Sequence, residues 1–173
     1  MKVKTVVKVL EIKVRIAQKN DGKNLYLIDK VWKKEAISPG FIPRTKQRFA
    51  DAIEKDIVVV AEKKNKIIGY ALGSIKKSVK QHVDIDQDVI HMNEFGKDKT
   101  YIDIDSLYVL KKYRSKGIGK ILMKKLIKEV KRRGIRRVLL ASDNKKNPEK
   151  LISFYKSLGF EIVVTYFMKK IQR

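Results

Sequence analysis

The chain has 173 residues, enough to bury one sizeable core, and no apolar run approaches the ~18–20 residues that span a bilayer, so a single domain over 1–173 with no membrane partner is expected. Zero cysteines exclude disulfides, thiolate metal sites and a cysteine nucleophile, and two histidines, His82 and His91, give poor support to a metal centre. A formal net charge of +23 admits three causes: a nucleic-acid partner, a phosphate-bearing cofactor or a lysine-rich proteome.

Val3 to Ala17 alternates apolar and polar residues, which predicts an opening strand, and Asn20-Asp21-Gly22 supplies a turn. The start, Met1-Lys2-Val3-Lys4-Thr5, lacks the continuous apolar stretch and small-residue cleavage site of a signal peptide, so cytoplasmic residence is expected. A helix is predicted over 24–36, with Leu25, Ile28 and Trp32 on one side, until Ser38-Pro39-Gly40-Phe41-Ile42-Pro43 breaks it. Helical spacing resumes over 45–55 through Phe49, Ala52 and Ile53. Ile57 to Ala61 is a β-branched run typical of a buried strand, and the polar turn Lys63-Lys64-Asn65-Lys66 joins it to a second strand over 67–73 as a hairpin.

Residues 78–99 carry many charges and weak periodicity, which reads as a loop or an inserted ribbon, with both histidines on its surface. A strand over 101–109 follows, then the clearest helix, 118–132, whose apolar stripe is Ile118, Ile121, Leu122, Leu126 and Val130 and which Gly134 closes. Val138 to Ala141 is the next strand, 148–158 the last helix with Asn147 as N-cap and Pro148 at its first position, and 162–168 the final strand. Strands and helices mix without strict alternation, so the expected class is α/β of the α+β kind, with a mixed sheet.

Charge is unevenly placed. Lys111 to Arg137 holds thirteen basic residues and one acid, Glu129, whereas Asp84 to Asp105 holds seven acids against Lys97 and Lys99. Between strand and amphipathic helix stands Tyr113-Arg114-Ser115-Lys116-Gly117-Ile118-Gly119-Lys120. Glycines at 117 and 119 let backbone N–H groups approach a ligand, and the following helix offers its positive end, so phosphate binding is the expected consequence. The spacing fits neither a dinucleotide-binding Gly-x-Gly-x-x-Gly nor a P-loop.

Arg114-x-x-Gly117-x-Gly119 resembles the Gln/Arg-x-x-Gly-x-Gly/Ala signature of the GNAT acetyltransferases, with Leu107-Tyr108-Val109 as the strand before it. Asn147 and Phe154-Tyr155-Lys156-Ser157-Leu158-Gly159-Phe160 resemble that family's Asn…Phe-Tyr-x-x-x-Gly-Phe segment, and the 38–43 loop is similar to the substrate-side loop of PaiA-like polyamine acetyltransferases. The resemblance implies a single domain with a mostly antiparallel twisted sheet, splayed in the middle and flanked by about four helices. It implies acetyl-CoA as co-substrate, a primary amine as acceptor (a polyamine or other small cationic amine, a protein N-terminus or a lysine), no metal, and room for a homodimer.

Residue by residue, the resemblance implies that main-chain groups of Leu107, Tyr108 and Val109 hold the acetyl carbonyl and pantetheine arm. Arg114 opens the loop, the amides of Ser115, Lys116, Gly117, Ile118, Gly119 and Lys120 cradle the pyrophosphate, and Asn147 contacts the arm. Tyr155 would protonate the departing thiolate, with packing beside Phe154 and Phe160 as its other reading. Asp105 stands where the family often carries a catalytic glutamate. Being one methylene shorter, it implies a water relay to the amine. Asp103 shares its face if the strand is regular, and with Phe41 and Ile42 would meet the acceptor; both acids also read as solvated groups. Asn147 lies eight residues before Tyr155, one more than the family spacing.

Two competing readings are a CoA-binding sensor without catalysis and a basic nucleic-acid-binding module. The second lacks a helix-turn-helix, a zinc arrangement and aromatics interleaved with its basic residues, so nucleic acid is not the expected partner.

Overall fold

A computed structural model describes residues 12–38, 40–77, 100–141 and 148–162. In chain order the elements are β1 (Lys13–Ile16), α1 (Gly22–Glu35), α2 (Lys46–Lys55), β2 (Ile57–Lys63), β3 (Lys66–Lys77), β4 (Thr100–Val109), α3 (Ile118–Arg132), β5 (Val138–Leu139) and α4 (Pro148–Lys156). The sheet runs β1-β2-β3-β4-β5, antiparallel throughout except for the parallel β4–β5 pair. That one parallel pair needs a crossover, which α3 supplies.

Both faces of the sheet are covered, so β2 shows an unbroken apolar run rather than an alternation. Ile57, Val59 and Ala61 join Ile118, Leu122, Met123, Leu126 and Val130 of α3 on one face. Val58 and Val60 join Leu25, Ile28 and Trp32 of α1 with Phe49 and Ala52 of α2 on the other. Among the described residues no helix is long and apolar enough to cross a membrane.

Helix α3 begins and ends where its periodicity predicts, but its stripe differs by one residue: Ile121 is exposed and Met123 is fully buried instead. Helix α1 starts two residues before the predicted 24, because Gly22, read as the end of the turn, continues from a 3₁₀ turn at Lys19–Asp21 into the helix. Thr45 caps α2, its side chain accepting from the Arg48 N–H at 3.2 Å. The β2–β3 turn contains Lys64 and Asn65, both with positive φ, the geometry of a tight hairpin. β5 spans two residues rather than four, and α4 ends at Lys156 rather than Leu158. The predicted segments 3–11, 78–99 and 163–168, together with Asn147, His82 and His91, lie outside the described residues.

Two polar groupings fix the α1–α2 loop on the sheet. Asp29, fully buried in α1, accepts from the hydroxyl of Tyr70 on β3 and from the Arg44 N–H at 2.9 Å. Burial raises the Asp29 pKa above the usual carboxylate value. Arg44 in turn donates through Nη1 to the Ser106 hydroxyl on β4 at 2.9 Å, which lashes the loop to the strand. Trp32 stacks between Phe41 of the loop, at 4.0 Å, and Tyr108 of β4, at 5.0 Å.

Candidate functional site

Pairing between β4 and β5 is confined to Ile102 with Val138 and Asp103 with Leu139, supported by the Ile102 N–H donating to the Arg137 carbonyl at 2.9 Å. Beyond Asp103 the two strands have no further rungs among the described residues. Among the described residues the edge of β4 from Ile104 to Val109 on that side has no strand partner, and unpaired strand edges offer donors and acceptors to an extended ligand. Leu107, Tyr108 and Val109 all lie on it. The Tyr108 side chain is buried on the α1 side, so what it can offer a ligand at that edge is main chain.

From the end of β4 the chain turns through Lys111–Tyr113, with the Tyr113 N–H donating to the Leu110 carbonyl at 2.8 Å. Ser115 then adopts φ 58° and Gly117 φ 76°. A left-handed non-glycine residue costs about 1–2 kcal/mol, so this conformation persists only where surrounding contacts impose it. Gly117 is the N-cap of α3, has no side-chain capping partner, and no acid occupies the first turn. The positive end of the helix is thus open, beside the exposed Lys111, Lys112 and Lys116. That donor set fits a pyrophosphate.

The two motif glycines differ in their reasons. Gly117 needs its positive φ, and a Cβ there would meet nothing within 4 Å, leaving the amides open to a ligand. At Gly119 a Cβ would sit 3.6 Å from Phe154 Cζ and 3.9 Å from Leu107 Cδ2, ordinary contacts that alanine tolerates. Ile118 is buried in the core, so its part in a phosphate cradle is its amide alone.

Phe154 packs on Gly119 and thereby sets α4 beside the first turn of α3. Tyr155 follows it, half-buried, edge-on to Phe154 at 5.1 Å and to Phe160 at 5.6 Å. Gly159 at φ 85° turns the chain so that the Phe160 N–H returns to the Tyr155 carbonyl at 3.2 Å. Burial pushes the Tyr155 hydroxyl above its ordinary 10, so it is protonated throughout the neutral range.

The strand carrying the two acids is not regular. Leu72 faces Ser106 and Gly73 faces Ile104, so Asp105 is the extra residue of a β-bulge. Asp105 is exposed and accepts from the Ser74 hydroxyl, while Asp103 stands opposite Ser74 in the register. Ile102 and Ile104 are buried in the core cluster that includes α3. In the α1–α2 loop, Phe41 is turned onto Trp32, and Ile42 is 79% exposed.

Arg114 is engaged differently from a simple phosphate ligand. Its Nε donates to the Val109 carbonyl at 2.7 Å and its Nη2 to Glu35 Oε2 at 2.5 Å. Glu35, Ser74, Asp29 and Arg44 were not legible as site neighbours, since each is defined by a partner 15 or more residues away. Among the described residues no group of three or more His, Asp or Glu could hold a metal ion.

No curated protein matches the chain. Among solved structures it is similar to an acetyltransferase from Trypanosoma brucei, at 18% identity and TM-score 0.62 over 93% of this chain and 100% of that one. An aminoglycoside acetyltransferase from an uncultured soil metagenomic sample, in complex with trehalose, aligns at 20% identity and TM-score 0.63 over 93% and 97%. A predicted acetyltransferase from Clostridium acetobutylicum, with acetyl-CoA, aligns at 19% and 0.62 over 92% and 96%. The model of the acetyltransferase (GNAT) family matches residues 24–160, most of the chain, and places this protein in that family: it is a GNAT acetyltransferase, dependent on acetyl-CoA.

Proposed function

We propose that the chain acetylates the primary amine of a small cationic acceptor, of the polyamine type. The observation that carries this reading is the placement of two acids at Ser74: Asp105 accepts from its hydroxyl, and Asp103 stands opposite it in the β3–β4 register. Carboxylates at the mouth of a site attract a cation and slow its escape. The soil-sample neighbour, named an aminoglycoside acetyltransferase, points to the same class of polycationic amine.

In this reading the main chain of Leu107 to Val109 aligns the thioester along the unpaired edge of β4, and the amides from Ser115 to Lys120 hold the pyrophosphate. Asn147 adds a contact to the arm. Phe41 and Ile42 border the acceptor. An ammonium has no lone pair, so Asp105, through a water, accepts a proton from it. The neutral nitrogen attacks the thioester carbonyl, the C–N bond forms and the C–S bond breaks; Tyr155 donates its phenolic proton to the departing sulfur, and the new amide nitrogen gives up its second proton to solvent, which reprotonates the tyrosinate.

A turnover screen with acetyl-CoA and a panel of polyamines, aminoglycosides, peptide N-termini and lysine-bearing peptides tests the reading. Highest kcat/KM on a small polyamine, falling as salt rises, is expected. Highest kcat/KM on a neutral or acidic peptide would overturn the acceptor class.

A further inference from the structure

We infer that Glu35, at the last turn of α1, is a positioning residue for the phosphate-binding loop 79 residues away. One carboxylate serves two partners. Oε2 accepts from Arg114 Nη2 at 2.5 Å, and Oε1 accepts from the Tyr108 hydroxyl at 2.9 Å. The Arg114 guanidinium also lies over the Tyr108 ring, 5.1 Å from its centroid, and its Nε holds the Val109 carbonyl. Arg114 is thereby fixed from three directions at the residue immediately before Ser115.

That position matters because Ser115 and Gly117 occupy left-handed conformations, and Gly117, the N-cap of α3, has no side-chain bond to secure the turn. An anchored Arg114 supplies the constraint from the upstream side. The Glu35 side chain is 18% exposed and that of Arg114 33%, so the pair is partly shielded from water and stronger than a surface ion pair. Burial and the neighbouring Glu35 carboxylate keep the Tyr108 hydroxyl protonated and donating.

The same contact joins the two halves of the site. Ala36 follows Glu35 directly and opens the acceptor-side loop, Lys33 Nζ donates to the Phe41 carbonyl at 2.8 Å, and Phe41, Trp32 and Tyr108 form one stack ending at Glu35. Glu35 ties that stack to the loop that holds acetyl-CoA. This inference rests on acetyl-CoA as co-substrate and is independent of which amine is accepted.

A double-mutant cycle on acetyl-CoA affinity tests it. Glu35→Gln and Arg114→Gln are each expected to weaken acetyl-CoA binding by about tenfold by calorimetry, the size of a charged hydrogen bond. The loss in the double variant is expected to fall well short of the sum of the two single losses, because the two variants share the Glu35–Arg114 interaction. The loss should fall mainly on KM for acetyl-CoA rather than on kcat, and Glu35→Asp, which keeps the charge on a shorter arm, should recover part of it. If Glu35→Gln does not fold, Tyr108→Phe, which keeps the ring stack and removes the hydroxyl on Oε1, takes its place in the cycle. Parent-like affinity in folded Glu35→Gln, or losses that add, overturns the inference and leaves the cofactor assignment intact. A parent that does not bind acetyl-CoA overturns both.

Discussion

Tyr155 and Asp105 stand in opposite environments, and their proposed roles follow from that difference. The phenol is half-buried between Phe154 and Phe160 and held protonated, as a proton donor to a leaving thiolate must be. Tyr155→Phe keeps the ring packing and removes the proton. It is expected to lower kcat by roughly 10 to 10⁴-fold with little change in acetyl-CoA affinity, read from single-turnover kinetics and calorimetry. A variant as fast as the parent would reduce Tyr155 to a packing residue. Asp105 is exposed on a bulge and oriented by Ser74. Asp105→Asn is expected to lower kcat near neutral pH, with part of the loss restored as pH rises, because free amine is then supplied without the carboxylate. An Asp105→Asn profile parallel to the parent's at every pH would exclude a proton-accepting role.

At the scale of elements, α3 was the most legible part of the fold and the least ambiguous in the structure. Its stripe of apolar residues at helical spacing faces the sheet, and its outer face is almost wholly basic. Glu129 is the one acid there, bonded to Arg132 and Arg133 in the final turn, and these partners hold its pKa at about 2, against an ordinary 4.5. A carboxyl whose folded pKa is depressed contributes stability above its unfolded value and loses it as pH falls through the folded one. Glu129→Gln should therefore cost about 0.5–1 kcal/mol at neutral pH, as exposed pairs do, and progressively less as pH falls through 2, where the carboxyl is half protonated. Thermal melts at neutral pH and near pH 2 check this; a difference that stays undiminished in acid would contradict it. Short elements were less legible. The run Val138 to Ala141 reads as four residues of strand, yet β5 ends after two, since only Val138 and Leu139 pair with β4. Ile121 fits the period of the stripe and is nonetheless exposed, since the stripe curves toward Met123 where β2 and β3 lie beneath it.

For the whole molecule, the order of elements and the glycine turn could be read from local pattern, while the contacts that tie the site together could not. Arg114 could be recognised from its motif, but nothing in the spacing shows that its side chain turns back to Glu35. The bulge at Asp105 was equally hidden, because alternation in one strand carries no information on the register of its neighbour. Of the described rings, Trp32, Phe49, Tyr70 and Tyr108 are buried and offer no face for base stacking, whereas Tyr26 and Tyr113 are partly exposed and lie under lysines. Charge acts instead by region. Changing Asp84, Asp86 and Asp88 together to Asn is expected to raise KM for a cationic amine and flatten its salt dependence, leaving acetyl-CoA affinity unchanged. Unaltered KM at low salt would remove that stretch from any role in steering.

Binding of the acetyl-CoA phosphates by the uncapped turn before α3 is tested by calorimetric titration of acetyl-CoA into the parent and Gly117→Val. Valine is β-branched and cannot adopt φ 76° without strain, and its side chain would enter the space over the amides. The account predicts one site in the parent and at least about tenfold weaker binding in the variant, with an unchanged circular dichroism spectrum, since the turn lies outside the core. Equal affinity in a folded Gly117→Val would contradict it.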